Sequence, residues 1–308
     1  MSLIVVTGAA GFIGQHLVRY LVRHTSARIV GLDNLRRGRW DGIHDCAPTD
    51  RLALIEGDVR DADLLQRALK GADTIFHLAA QSNVIGAALD TDYSFQANVV
   101  GTYNVLRAAR AAGVRRVIFT SSREVYGEPA VLPVPEDAPL VAKNFYGASK
   151  IAGEAYCRVF DSPEMRVSVV RLANVYGPGD RDRVIPIFFE RIAQGRPLVL
   201  YGGDQVIDFA PIGLVVEALW RAAETLSPDP INIGSGQGTA LKDLAQRMLA
   251  LTGSTAGIAI EPARPIEVRR FIAQIDRMKD RLGLTPPGDP LAELDQMQNS
   301  SIAATRGW

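Results

Sequence analysis

Cysteine is scarce in this chain of 308 residues. Only Cys46 and Cys157 occur, too few for a disulfide framework, and the count fits a reducing compartment. A surplus of either charge is also missing, because 34 basic residues balance 34 acidic ones. Nucleic-acid binders carry a basic excess or stripe, so that class is set aside. No stretch approaches the ~20 apolar residues of a membrane span. The opening "MSLIVVTGAAGFIG" has neither a basic lead nor a small-residue cleavage site, and is not read as a signal peptide. Repeats and low-complexity segments are absent as well. No metal is expected. What remains, with 47% apolar and 22% charged residues, is the composition of a soluble globular enzyme, expected in the cytoplasm.

Short apolar runs alternate with longer segments of helical period. "LIVVT", "RIVGL", "LALIEG", "DTIFHLAA", "RVIFTSS" and "VSVVRLANVYG" are rich in β-branched residues and predict buried parallel strands. "FIGQHLVRYLVRH", "DADLLQRALKG" and "NVVGTYNVLRAARAAG" predict the helices between them. Alternation of this kind gives βαβ units and an α/β, Rossmann-type doubly wound parallel sheet. After Gly177 the rhythm shortens, which predicts a smaller C-terminal α/β substrate domain. The expected division is 1–176 for the dinucleotide-binding domain, with a return segment about 205–235, and 177–308 for the substrate domain. From Thr285, "TPPGDP" and "LAELDQMQ" predict a loop and a short closing helix. The site is expected in the cleft between the domains, at the carboxyl edge of the sheet.

"TGAAGFIG" follows the first strand and opens a helix. Gly8 permits the tight turn, Gly11 lets backbone approach a pyrophosphate, and Gly14 packs helix against strand; Phe12 and Ile13 lie between them. The helix N-terminus offers free N–H groups to phosphate. About twenty residues on, Asp33 and Asn34 close the second strand, where a carboxylate accepts from ribose hydroxyls. A carboxylate there repels a 2′-phosphate, so NAD is expected over NADP. Arg36 and Arg37 follow on what reads as a solvated loop. Asp58 and Val59 after the third strand lie beside the adenine. Leu78, Ala79 and Ala80 after the fourth let the cofactor approach. His77, inside an apolar strand, reads as a core histidine.

Tyr146 and Lys150, four apart in "NFYGASK", share one face of a helix. A phenol titrating near 10 is a poor base at neutral pH. A neighbouring ammonium and a nicotinamide cation favour the phenolate, giving a general base for a sugar hydroxyl. Ser122, at the end of the fifth strand, can share that hydroxyl's hydrogen bond.

Taken together, these motifs resemble the extended short-chain dehydrogenases/reductases, in the nucleotide-sugar epimerase and dehydratase branch. "DNLRRG", "QANVVGTYNVL", "SSREVYGE", "VRLANVYGP", "PLVLYGG", "NIGSGQGTALKDL" and "RPIEVRRFIAQID" extend the likeness over almost the whole chain. The resemblance implies bound NAD, a UDP-sugar substrate between the domains and a catalytic set of Tyr146, Lys150, Ser122 and Glu124. It implies that Asn98 supports the cofactor side and that Asn174 contacts the sugar diphosphate. Val199 and Tyr201 fall at the uracil, Arg264 at the diphosphate and Glu267 near the nucleotide ribose. A homodimer through "NVVGTYNVLRAARAAG" and "FYGASKIAGEAYCRVF" is also implied. Two positions depart from the pattern. Ile207 stands where many relatives carry a phosphate-binding arginine, and Gly213 where an aspartate is common; Arg183, beside Val184, is a candidate replacement at the phosphates.

Arg123 is the residue that separates the reactions. Dehydratases of this branch carry an aspartate acid there, and an arginine, charged at any working pH, cannot serve. Glu124 keeps a UDP-glucuronate decarboxylase open. A 4-epimerase needs only Tyr146 to take the O4 proton while C4 gives hydride to the dinucleotide and later regains it on the other face. An arginine aimed at the hexose matches a carboxylate bidentately, which points to UDP-glucuronate before UDP-glucose or UDP-N-acetylglucosamine. Turned outward, it would pair with Glu128 or Glu136. A non-catalytic dinucleotide sensor is the remaining alternative, and the retained Tyr/Lys pair argues against it.

Overall fold

The computed structural model describes residues 2–48 and 50–298. The first strand, β1 (Leu3–Thr7), is apolar on both faces and leads through the glycine turn into α1 (Phe12–His24). The α1 stripe of Gly14, Leu17, Val18 and Leu21 recurs at helical spacing and is buried. Then come β2 (Arg28–Asp33), β3 (Leu52–Glu56), α2 (Ala62–Ala68), β4 (Thr74–His77), α3 (Val84–Leu89), α4 (Thr91–Phe95), α5 (Gly101–Ala111), β5 (Arg116–Ser122), α6 (Phe145–Phe160) and β6 (Arg166–Leu172). The second half holds β7 (Asn174–Tyr176), α7 (Val184–Ala193), β8 (Leu198–Tyr201), β9 (Val206–Pro211), α8 (Ile212–Thr225), β10 (Ile231–Ile233), β11 (Gly238–Ala240), α9 (Leu241–Thr252), β12 (Ile258–Glu261), β13 (Arg270–Phe271) and α10 (Asp276–Leu282).

Seven parallel strands form the main sheet in the order β10-β6-β5-β4-β1-β2-β3. The chain starts at β1, winds out to β3, and returns past β1 to β4, so the winding reverses between β1 and β4. That reversal opens a crevice at the carboxyl ends of the strands. Both faces are covered. On one, Val18 and Leu21 of α1 pack with Val215 and Leu219 of α8. On the other, Leu65 of α2, Val105 and Ala109 of α5 and Phe160 of α6 share a core with β-strand valines. The smaller lobe has a β11-β9-β13 sheet joined by β7, a parallel β8–β12 pair, and its own core around Phe188, Phe209, Leu244 and Met248. Residues 294–298 are helical, and Leu291, Leu294 and Met297 close that core.

Two segments differ from the sequence reading. "VSVVRLANVYG" is two strands rather than one: β6 stays in the large sheet, the chain turns at Ala173, and β7 pairs with β9. That turn brings Asn174 from one sheet to the other across the crevice. "NVVGTYNVLRAARAAG" begins in a π-helical turn over Gln96–Val100 before α5. Such a turn is a frequent marker of functional sites, and here it turns Asn98 inward to a fully buried position.

Candidate active site

Every main-sheet strand from β1 to β6 ends at one cavity of about 780 Å³, toward the large end for a ligand pocket. At its nucleotide end Gly8 has φ +73°, and its N–H donates to the Leu32 carbonyl at 2.8 Å. A Cβ on Gly8 would lie 2.7 Å from the Ala79 nitrogen, so only glycine fits where the β1 and β4 loops cross. Gly11, the N-cap of α1, behaves differently. A Cβ there would meet only the Gly8 carbonyl oxygen, at 3.2 Å, and would otherwise project into the cavity. The empty space over Gly11 and the uncapped helix start together make a cradle for a pyrophosphate.

Asp33 is buried, with Oδ2 accepting from the Ala10 N–H at 3.0 Å and Oδ1 from the Leu35 N–H at 2.9 Å. Burial pushes its carboxyl up, opposed by those backbone donors. Asn34 donates to Asp58 at 2.8 Å and to the Tyr93 hydroxyl at 3.0 Å. Burial raises Asp58, but the bonds from Arg60 and Asn34 prevail and hold it at about 2. Arg36 stacks 3.6 Å above the Tyr93 ring and pairs with Asp90, while Arg37 bonds Ser82 and Asp182. Tyr93, in α4, was not anticipated from the sequence, since nothing local in "DTDYSF" marks a ring that returns to the β2 loop. Asn98 is the one expected cofactor residue that does not line the cavity. It accepts from the Gln81 N–H at 2.7 Å and donates to Ser149 at 2.8 Å, bracing the β4 loop from behind. His77 is a core residue, its nitrogens on Thr7 and Thr102 hydroxyls at 2.7 and 3.0 Å, and burial lowers it to about 3.

At the sugar end the side chains converge. The 3-10 turn Arg123–Tyr126 continues β5, capped by the Ser122 hydroxyl on the Glu124 N–H at 3.2 Å. Helix α6 starts at Asn144, whose Oδ1 accepts from the Gly147 N–H at 2.8 Å, and this sets Tyr146 opposite Ser122. The phenol is pushed up to about 12, first by burial and then by Glu124; Arg183 and the Ser122 hydrogen bond pull it down. Lys150 lines the same cavity. Its Nζ donates to the Thr120 carbonyl at 2.8 Å, 5.8 Å from the Tyr146 ring centre, and burial lowers it to about 8. Arg183 is held by Asp180 at 2.7 Å and lies 5.5 Å from the Phe12 ring centre. Asn174, Val184, Val199, Tyr201, Arg264 and Glu267 line the cavity as well. Arg264 stacks 3.5 Å above Tyr201 and bonds Glu267 at 3.0 Å. Ile207 and Gly213 sit on β9 and α8, and Ile207 also lines the wall.

Arg123 does not turn outward. Glu128 is taken by Lys143 at 2.8 Å and by the Arg269 N–H at 3.2 Å, and Glu136 by the Asn232 N–H at 3.1 Å. The Arg123 side chain is 12% exposed and pairs with Glu124 at 3.0 Å, while its Nη1 is buried with no partner.

A glycine cradle at a doubly wound sheet's switch point, a buried carboxylate at the end of β2 and a Ser/Tyr/Lys set on one cavity wall are the parts of an enzyme that oxidises and reduces through a dinucleotide. Residues 4–234 match the model of the NAD dependent epimerase/dehydratase family, and the chain belongs to that family. It is 35% identical to a UDP-glucose 4-epimerase of Mycolicibacterium smegmatis, over 91% of this chain and 92% of that protein. It is 29% identical to UDP-glucuronic acid decarboxylase 5 of Arabidopsis thaliana, over 95% and 88%. The fold superposes with a TM-score of 0.88 and 31% identity on MoeE5 in complex with UDP-glucuronic acid and NAD, covering 98% and 99% of the two chains. The protein is thus an NAD-dependent enzyme of the epimerase/dehydratase kind.

Proposed function

We propose that the protein interconverts UDP-glucuronate and UDP-galacturonate by epimerisation at C4. The observation that carries the uronate is Arg123: a guanidinium nitrogen with no partner, buried in the wall that also holds Ser122 and Tyr146. A neutral hexose leaves that donor unsatisfied, which is costly, whereas a C6 carboxylate accepts from it. The nucleotide end of the substrate lies along Val199, Tyr201, Arg264 and Glu267, with Asn174 and Arg183 at the diphosphate. Ser122 holds the hexose O4, and Tyr146 takes its proton. Bound NAD supplies the acceptor for the C4 hydride. The 4-keto sugar turns within the cavity, and Tyr146 returns the proton once C4 has regained hydride on its other face. Proton and hydride both come back, so the product has the mass of the substrate.

The retained Glu124 and the decarboxylase relatives favour UDP-glucuronate decarboxylation as the second reading. Incubation with UDP-glucuronate, UDP-glucose and UDP-N-acetylglucosamine in turn, followed by NMR and mass spectrometry, separates the two. The expected result is a 4-epimer of unchanged mass from UDP-glucuronate. Loss of carbon dioxide makes the protein a decarboxylase, and turnover of the neutral sugars alone removes the uronate from the assignment. Arg123→Gln is expected to raise KM for UDP-glucuronate on the order of 10²-fold, the scale of leaving a buried charge unpaired.

A homodimer across α5 and α6 is part of the same reading. Tyr103, Tyr156 and Val159 are exposed along these helices, as are Phe95 at the end of α4 and Leu89 at the end of α3, the latter at 83%. A second copy presenting the same face would cover them. Sedimentation should give twice the chain mass, and a monomer would remove the proposal.

A further inference from the structure

Glu124 has both carboxylate oxygens engaged within the protein. Oε1 meets Arg123 Nη2 at 3.0 Å, and Oε2 accepts from Asn144 Nδ2 at 2.7 Å. Each partner belongs to a different part of the site. Arg123 lines the cavity, and its Nη1 is buried without a partner. Asn144 is the N-cap of α6, the helix that carries Tyr146 and Lys150, and the same amide nitrogen donates to the Ile266 carbonyl at 3.2 Å. Ile266 lies in the loop of Arg264 and Glu267, the diphosphate and ribose end. The backbone is equally committed: a Cβ on Gly147 would press into the Glu124 carbonyl, so α6 packs directly on this turn.

A proton-abstracting carboxylate needs an oxygen free to meet the substrate carbon. A carboxylate whose two oxygens each hold a donor is a fixed anchor. We infer that Glu124 is a positioning residue, which orients Arg123 for the sugar carboxylate and ties that arginine to the start of α6 and to the 264–268 loop. It does not remove the C5 proton. The Phe271 ring, centred 5.9 Å from the guanidinium carbon, limits Arg123 from another side, so the anchor has one orientation to fix. The orienting role toward a carboxylate rests on the uronate reading above; the statement about C5 does not.

The test runs turnover in deuterium oxide and reads C5 by NMR and mass. Wild-type protein should return epimerised sugar with no deuterium at C5, whichever UDP-hexose it accepts. Deuterium at C5 that disappears in Glu124→Gln overturns the inference, and leaves the uronate reading standing if glucuronate is the sugar turned over. Conversely, turnover of UDP-glucose alone, with C5 unlabelled, removes the uronate and keeps Glu124 as an anchor. With UDP-glucuronate, Glu124→Gln should raise KM ~10-fold, the effect of losing one charge-assisted bond, with a smaller fall in kcat and a several-fold smaller rise in KM for UDP-glucose. A fall in kcat at unchanged KM overturns it. Asn144→Ser keeps a cap for α6 but removes the amide, and should reproduce the KM effect in part. No change in KM there overturns the link to the loop.

Discussion

The two ends of the cavity are built from different materials. At the nucleotide end the framework is largely backbone: the Gly8 N–H donates to the Leu32 carbonyl, the Gly11 N–H to that of Gly8, and Asp33 is locked by two backbone donors. At the sugar end it is side chains, Ser122, Arg123, Glu124, Asn144 and Tyr146, brought from two elements more than twenty residues apart in sequence. At Gly8 and Gly14 the site tolerates no added atom, because a Cβ there would displace the chain itself. A side-chain site keeps its shape when one group is deleted and loses only that group's chemistry. In the proposed reading the first end fixes where the cofactor lies, and the second decides what is done to the sugar.

Breaking each end in turn should give opposite signatures, and these are the largest effects expected. Tyr146→Phe deletes one oxygen opposite Ser122, and kcat should fall ~10²–10⁴-fold while NAD still binds. Gly14→Ala would set a Cβ on the Gly8 carbonyl oxygen and 2.8 Å from the Ala9 Cα, so the turn has to move. There NAD affinity should fall on the order of 10²-fold, as a displaced site does. Titration calorimetry with NAD and steady-state kinetics on both variants make the check. Loss of NAD binding in Tyr146→Phe, or normal binding in Gly14→Ala, would erase the distinction. pH sharpens it further. With the phenol at about 12, the cofactor-free protein holds it protonated at neutral pH. The phenolate form is gained as pH rises, so kcat should rise with pH through the neutral and mildly alkaline range.

The same contrast explains what could be read from the sequence. "TGAAGFIG" and Asp33 carry their meaning locally, because a glycine turn between a strand and a helix has few uses, and the structure places these residues at the expected end of the cavity. Helix α1 begins and ends where its apolar period does. Tyr93 was hidden, since its role depends on α4 folding back over the β2 loop. The i and i+4 spacing brings Lys150 to the cavity with Tyr146, but the Thr120 carbonyl that holds its ammonium lies thirty residues earlier and has no signal in that spacing. Arg123 was recognised as the decisive residue, yet its direction turned on which partners Glu128 and Glu136 already had, and those lie on Lys143 and Asn232. Partner competition of this sort has no local signature.

The smallest effect belongs to an exposed side-chain bridge at the nucleotide end. Arg37 bonds Ser82 and Asp182 and so bridges the β2 loop to the loop before α7. Both members of the ion pair are substantially exposed, at 36% and 59%, and such pairs contribute ~0–1 kcal/mol. Arg37→Ala should therefore change NAD affinity by less than ~5-fold, and 0.5 M salt should produce much of that change in the unaltered protein by screening. Preference for NAD over NADP should survive the substitution, because the repelling carboxylate of Asp33 is held by Ala10 and Leu35 and not by Arg37. A tenfold loss of NAD, or a variant that accepts NADP, would show that a side chain shares the work assigned here to backbone. Competition binding of the two dinucleotides to Arg37→Ala decides it.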